Sequence, residues 1–146
     1  MDKNIQSFFD PKNIAIVGVS HSRKSFGNAV VETLHERGFQ LFPIHPDGGE
    51  IEGIPCLKSF DQLPPDVKSL VVCISPKIAA EIIDSARNSG IKKIWFQQGA
   101  NFKAMAQKAR ESGMKVVSRK CVLMYAPPVT SIHSVHRFFV RLVGRL

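Results

Sequence analysis

The run Ile14-Ala15-Ile16-Val17-Gly18-Val19-Ser20 leads straight into His21-Ser22-Arg23-Lys24-Ser25-Phe26-Gly27-Asn28, and this junction constrains the fold more than any other stretch. Apolar residues occupy consecutive positions, as in a strand buried on both faces; a strand with one wet face would alternate. The loop that follows is small, polar and cationic, and Ala29-Val30-Val31-Glu32-Thr33-Leu34 then reads as helix. A buried strand, a polar loop and a helix N-terminus together form an anion-binding site. The first helical turn offers unpaired N–H groups and the positive end of the helix dipole. The ligand expected there carries phosphate.

The same unit recurs along the chain. Further β-type runs fall at 39–45, 68–74, 91–97 and 114–118, and helical segments at 26–37, 76–88 and 101–112. Gly38, Gly90 and Gly113 stand just past those helices, where a C-terminal glycine belongs. Pro76 suits the first turn of the 76–88 helix, with Ser75 as its N-cap. Residues 5–9 predict a short helix stopped by Pro11. Residues 50–60 read as irregular, with a short extended piece near 54–57 and Ser59 capping one helical turn. Short β–α–β connections impose right-handed crossovers and therefore a parallel sheet. The expectation is an α/β, Rossmann-like three-layer fold with a five-stranded parallel sheet and a C-terminal amphipathic helix. One domain is expected over residues 1–146, with its core at 5–121 and a helical tail at 131–146.

In that tail Ile132, Val135, Phe139, Leu142, Val143 and Leu146 recur at helical spacing, and Arg137, Arg141 and Arg145 line another face. Such a helix docks on the sheet or pairs with a second copy as a homodimer, in preference to lying on acidic lipid. The net charge of +8 points to anionic partners, but the cations are scattered and not gathered into one run, which disfavours nucleic acid. Cys56, Cys73 and Cys121 are odd in number and widely spaced, so neither a disulfide framework nor a zinc ribbon is expected. The first residues lack a basic stretch followed by an apolar core, and no apolar run is long enough to span a bilayer. A cytoplasmic location is the expectation.

In open α/β sheets, ligands bind outside the carboxyl ends of the strands, where strand order reverses. Gly18-Val19-Ser20, Ile44-His45-Pro46 and Ile74-Ser75-Pro76 should converge there, with Gln97-Gln98-Gly99-Ala100-Asn101 as a fourth contributor. NAD would require GxGxxG after the first strand and a carboxylate closing the second. Here Ser20 follows Gly18 at the second glycine position, the next glycine is Gly27, and the second strand closes on His45-Pro46 with Asp47 displaced past the proline. NADP is less firmly removed, since Arg23 or Lys24 could meet its 2′-phosphate. GxxxxGK[ST] is absent, because no glycine immediately precedes Lys24-Ser25.

Gly18-x-Ser20 with Lys24-x-x-Gly27, then Phe42-Pro43-Ile44-His45-Pro46, Ile51-x-Gly53, Trp95-x-Gln97-x-Gly99 and finally Cys121 resembles the small stand-alone CoA-binding proteins. These are relatives of the N-terminal CoA-binding domain of the succinyl-CoA synthetase α-subunit, and the resemblance covers about residues 5 to 121. It implies a Rossmann-type domain that holds coenzyme A through its ADP moiety. Gly18, Val19, Ser20, Arg23, Lys24, Ser25, Phe26 and Gly27 would then receive the pyrophosphate. Ile44, His45, Pro46, Ile74, Ser75 and Pro76 would flank the adenosine, with Gln98 and Gly99 alongside. Backbone amides, hydroxyls and two cations suit a polyanion on physical grounds as well. The chain departs from the family pattern at His45, where asparagine is usual. It departs again at Phe39-Gln40-Leu41, where the synthetases carry a lysine for the 3′-phosphate, so that charge must come from elsewhere.

No residue set reads as catalytic, because the synthetase's active histidine lies in a second domain for which this chain has no counterpart. Cys121 reads as inert packing more readily than as a nucleophile or a mixed-disulfide partner for CoA. His133 and His136 make one i, i+3 pair lacking a third ligand, so no metal is expected. A non-catalytic sensor, carrier or accessory protein for CoA or an acyl-CoA is the leading expectation. The alternatives are a nucleotide-dependent enzyme using NADP, and a subunit of a larger acyl-CoA enzyme.

Overall fold

A computed structural model describes residues 3–10 and 12–128; the predicted tail helix, with His133 and His136, lies outside the described residues. The elements are α1 (Lys3–Phe8), β1 (Asn13–Val17), α2 (Phe26–Glu36), β2 (Gln40–Ile44), β3 (Glu50–Ile51) and β4 (Ile54–Pro55), then a 3-10 turn at Phe60–Gln62. They continue as β5 (Ser69–Val72), α3 (Pro76–Asn88), β6 (Lys93–Gln97), α4 (Lys103–Glu111), β7 (Lys115–Lys120) and α5 (Val122–Tyr125). The main sheet has five strands in the order β2-β1-β5-β6-β7, and each pair is parallel. This is the Rossmann-like sheet that the sequence predicts.

Consecutive apolar residues give each strand two buried faces. Ile14 and Ile16 join Val71, Trp95 and Val117 beneath α1, α2 and α5, where Phe8, Val30, Val31, Leu34 and Val122 fill the layer. Ala15 and Val17 join Leu70, Val72, Ile94 and Phe96 on the opposite face, against Ile83 and Ala86 of α3 and Ala106 and Ala109 of α4. Trp95 and Phe96 are fully buried, as expected of core residues; the Trp95 indole nitrogen donates to the Lys120 carbonyl at 2.9 Å.

Several boundaries differ from those the sequence predicts. β1 covers Asn13–Val17, two residues short of the 13–19 that the apolar run predicts, because Gly18 turns the chain out of the ladder at φ +109°. β5 likewise ends at Val72, short of the predicted 74. Glu50–Ile51 and Ile54–Pro55 form a small antiparallel hairpin in a segment that reads as irregular. The 3-10 turn has Ser59 at its N-cap position, but the Ser59 hydroxyl bonds to the Asp61 carboxylate and does not cap the backbone. Helix α5 is an addition that no sequence periodicity announces; it is anchored where the Val122 amide donates to the buried Gln97 side-chain oxygen at 3.0 Å.

Candidate functional site

Strand order reverses at β1, which has β2 on one side and β5 on the other. Such a topological switch point opens a crevice beyond the strand ends. The register places Val17 beside both Ile44 and Val72, so Gly18, His45 and Cys73 leave the sheet at one level. Gly18 lies so close to β5 that a Cβ there would stand 2.6 Å from the Cys73 carbonyl carbon. Only glycine fits both that contact and the φ of +109°.

The loop from Ser20 to Ser25 is closed by one buried side chain. Asn28 accepts from the Ser20 amide at 2.8 Å and donates to the Ser20 carbonyl at 2.9 Å. The Ser25 hydroxyl caps α2 by accepting from the Asn28 amide, and it lies 3.0 Å from the Gly18 carbonyl oxygen and 2.9 Å from Asn28 Oδ1. Gly27 lets the first turn of α2 press on that same loop, since a Cβ there would fall 2.7 Å from the Gly18 carbonyl carbon. Close helix–strand packing of this kind is one of the roles glycine plays in dinucleotide-binding turns. Among the described residues the Phe26 and Gly27 amides have no partner. They remain as donors at the positive end of the α2 dipole.

Gly18, Val19, Ile44, His45, Pro46 and Ile74 are brought together around a cleft of about 920 Å³. This is within the usual range for small-molecule sites, roughly 300–1,000 Å³. One face of α3, carrying Ile78, Ile82 and Ser85, forms a wall with Ser89 just past its end, and Lys58, Ser59, Phe60 and Asp61 form the rim. Lys58 lies across Gly48, and the Leu57 carbonyl accepts from the His45 amide at 2.9 Å, which holds this rim against the end of β2. Sequence reading does not single out Lys58, because nothing local marks a cation beyond an irregular segment as belonging to the strand ends. Asn28 is missed for the same reason, being an ordinary polar residue in a helical pattern until its partners are seen.

Phe26, Ile74, Ser75, Gln98 and Gly99 line a smaller adjoining recess of about 280 Å³, which shares Ile74 with the large cleft. Ser20, Arg23 and Lys24 instead line a separate recess of about 320 Å³ facing Glu50 and Glu52 of the hairpin. Ser25 and Gly27 shape the turn, and Pro76 opens α3 while Ser75 occupies its N-cap position without a side-chain capping bond. His21 bridges the first two loops, its Nε2 lying 2.7 Å from the Gly48 carbonyl oxygen and its ring 4.5 Å from that of His45. The Cys73 thiol, at the floor, is pushed up to about 12 by burial, with Cys121 adding to the shift. At that value it stays protonated at neutral pH and is a poor nucleophile.

The model of the CoA binding domain family matches residues 12–127 of this chain. The chain belongs to the CoA-binding domain family. Among curated proteins it is similar to the α-subunit of ADP-forming acetate–CoA ligase II of Pyrococcus furiosus, at 24% identity over 126 residues, or 79% of this chain and 28% of the relative. The ligase I α-subunit of the same organism matches at 25% over 130 residues, again covering 28% of its length. The chain therefore spans little more than a quarter of these relatives. Among solved structures it is similar to a conserved hypothetical protein of P. furiosus, with 32% identity and a TM-score of 0.71, covering 77% of this chain and 97% of that one. A hypothetical protein of Pyrococcus horikoshii gives 28% identity and a TM-score of 0.76, covering 86% and 89%. No helix among the described residues is long and apolar enough to cross a membrane.

Proposed function

We propose that this chain binds coenzyme A, or an acyl-CoA, through the ADP moiety, and serves as a sensor, carrier or accessory protein without chemistry of its own. The observation that carries this reading is the 920 Å³ cleft at the β1–β5 switch point, with the α2 N-terminus pinned against Gly18 beside it. Adenosine lies between the Ile44–Pro46 and Ile74–Pro76 strand ends, with His45 offering a ring to stack. The pyrophosphate meets the Phe26 and Gly27 amides, where the helix dipole and two donors favour an anion. Lys58 supplies the cation for the 3′-phosphate that the second strand lacks. The pantetheine arm crosses the recess beneath Phe26, Ile74 and Gly99. Arg23 and Lys24, although in a neighbouring recess, raise the local positive potential at the loop. The free thiols of Cys56, Cys73 and Cys121 accord with a reducing cytoplasm.

Calorimetry with CoA tests this. Lys58→Ala is expected to weaken CoA about tenfold, or about 1.4 kcal/mol. Wild-type protein should bind 3′-dephospho-CoA about as weakly as the variant binds CoA, and the variant should no longer distinguish the two. No binding heat at millimolar CoA refutes the reading, and tight NADPH binding would replace it with the nucleotide-enzyme alternative. A second reading, a subunit that completes a larger acyl-CoA enzyme in trans, is favoured by the 28% coverage of the ligase α-subunits. Affinity capture from its own cell extract that recovers no stable ligase partner removes it.

A further inference from the structure

The recess under Phe26 does not end the trough. Gly99, Ala100 and Phe102 line both that recess and a second, larger cleft of about 1320 Å³ over the carboxyl ends of β6 and β7. The charged residues on its walls are Lys103, Arg110 and Arg119, with Gln107 and Ser118 between them, and no carboxylate lines it. The three cations come from different places: the first turn of α4, its last turn, and the end of β7. Among the described residues none of the three is in an ion pair, whereas nearby Arg87 and Lys108 both pair with Asp84. All three are exposed, and their shared sign gives the concavity a positive potential that favours an entering anion.

The spacing connects this cleft to the first. Strands lie about 4.8 Å apart, so β7 stands roughly 10 Å from β5 and about 14 Å from β1. A pantetheine arm is about as long as four to five extended residues, roughly 13–17 Å. An arm that starts at the α2 N-terminus and crosses beneath Phe26 is therefore long enough to bring its sulfur to the basic cleft. From this geometry we infer that the second cleft receives the acyl end of a CoA thioester and selects acyl groups that bear a free carboxylate. The inference rests on the CoA reading above. An uncharged acyl group leaves the three cations without a partner; a terminal carboxylate accepts charge-assisted hydrogen bonds from them.

Calorimetry of the full chain with CoA, acetyl-CoA and malonyl-CoA tests it. Malonyl-CoA is expected to bind about tenfold more tightly than acetyl-CoA at low salt, with the preference shrinking as ionic strength rises. In the Arg110→Ala/Arg119→Gly double variant the preference disappears while acetyl-CoA affinity stays unchanged. Glycine suits position 119, where the backbone has φ +62°. Lys103→Gln, at an exposed position of α4, should reduce the preference independently of any backbone effect at 119. Equal affinity of the wild type for the two thioesters overturns the inference. So does an equal loss for both in the double variant, because the cations would then serve the phosphates of CoA itself. Failure of CoA to bind overturns this inference and the parent reading together; CoA binding without discrimination overturns this one alone.

Discussion

Gly27→Ala sets helix propensity against tertiary packing. In an exposed helix, alanine is favoured over glycine by about 1 kcal/mol, so propensity alone predicts a more stable protein. In this fold the added methyl would stand 2.7 Å from the Gly18 carbonyl carbon, closer still to its oxygen, and 3.1 Å from the Val19 nitrogen. Those atoms are backbone, and Gly18 itself lies close against Cys73, so they cannot turn aside as a flexible side chain would. Overpacking against a rigid wall costs at the upper end of about 1–3 kcal/mol. Moving α2 away to relieve it also strains the Ser25 hydroxyl's contact with the Gly18 carbonyl, worth about 1 kcal/mol. Packing outweighs propensity, and the expected result is a net loss of about 2–3 kcal/mol. Trp95, the single tryptophan and fully buried, reports unfolding by fluorescence. With a urea m-value of about 2 kcal/mol per molar, the midpoint should fall by roughly 1–1.5 M, and Tm by roughly 8 °C. CoA affinity should fall as well, because the Phe26 and Gly27 amides move with the helix. A midpoint equal to or above that of the wild type would refute the claim that α2 is jammed against the loop after β1.

Other perturbations probe separate parts of the structure. Arg37 donates through Nη1 to the Leu123 and Ala126 carbonyls at 2.9 and 2.8 Å, although burial lowers the pKa of its guanidinium. Arg37→Ala should cost about 2 kcal/mol and raise hydrogen exchange at Met124 and Ala126, whose amides close α5 onto Cys121 and Val122. Cys73 is raised from 9.0 to about 12, so above pH 9 the unfolded chain loses this proton first and stability falls as pH rises towards 12. The slope from this thiol is at most about 1.4 kcal/mol per pH unit. Urea midpoints measured from pH 8 to 10.5 should therefore drop more steeply in the wild type than in Cys73→Ala; parallel curves would count against a buried, neutral thiol.

Much of the fold was legible in the chain because its causes are local. Continuous apolar runs made β1, β2 and β5 two-faced strands, and Ser75-Pro76 marked where α3 begins. The same local chemistry pointed to an anion site at Gly18–Asn28 and argued against NAD, since both the glycine spacing and the residues closing β2 are matters of order along the chain. Tertiary structure decided what depends on neighbours distant in sequence. That Gly27 must be glycine follows from the nearness of Gly18. Asn28 became the clasp of the loop only when Ser20 curled back onto it, and Lys58 reached the cleft because Leu57 pairs with the end of β2. Arg23 and Lys24, adjacent in sequence to the other loop residues, turned into a different recess. Lys103, Arg110 and Arg119 met around one concavity because the β6–β7 pairing set the end of one strand beside the helix that follows the other. Local propensity acts within a few residues, whereas a binding site is assembled by strand order and crossover direction. The chain by itself determined the main-sheet strands, the helices that cover them and the loop after β1, and the folded sheet determined which side chains share a cleft.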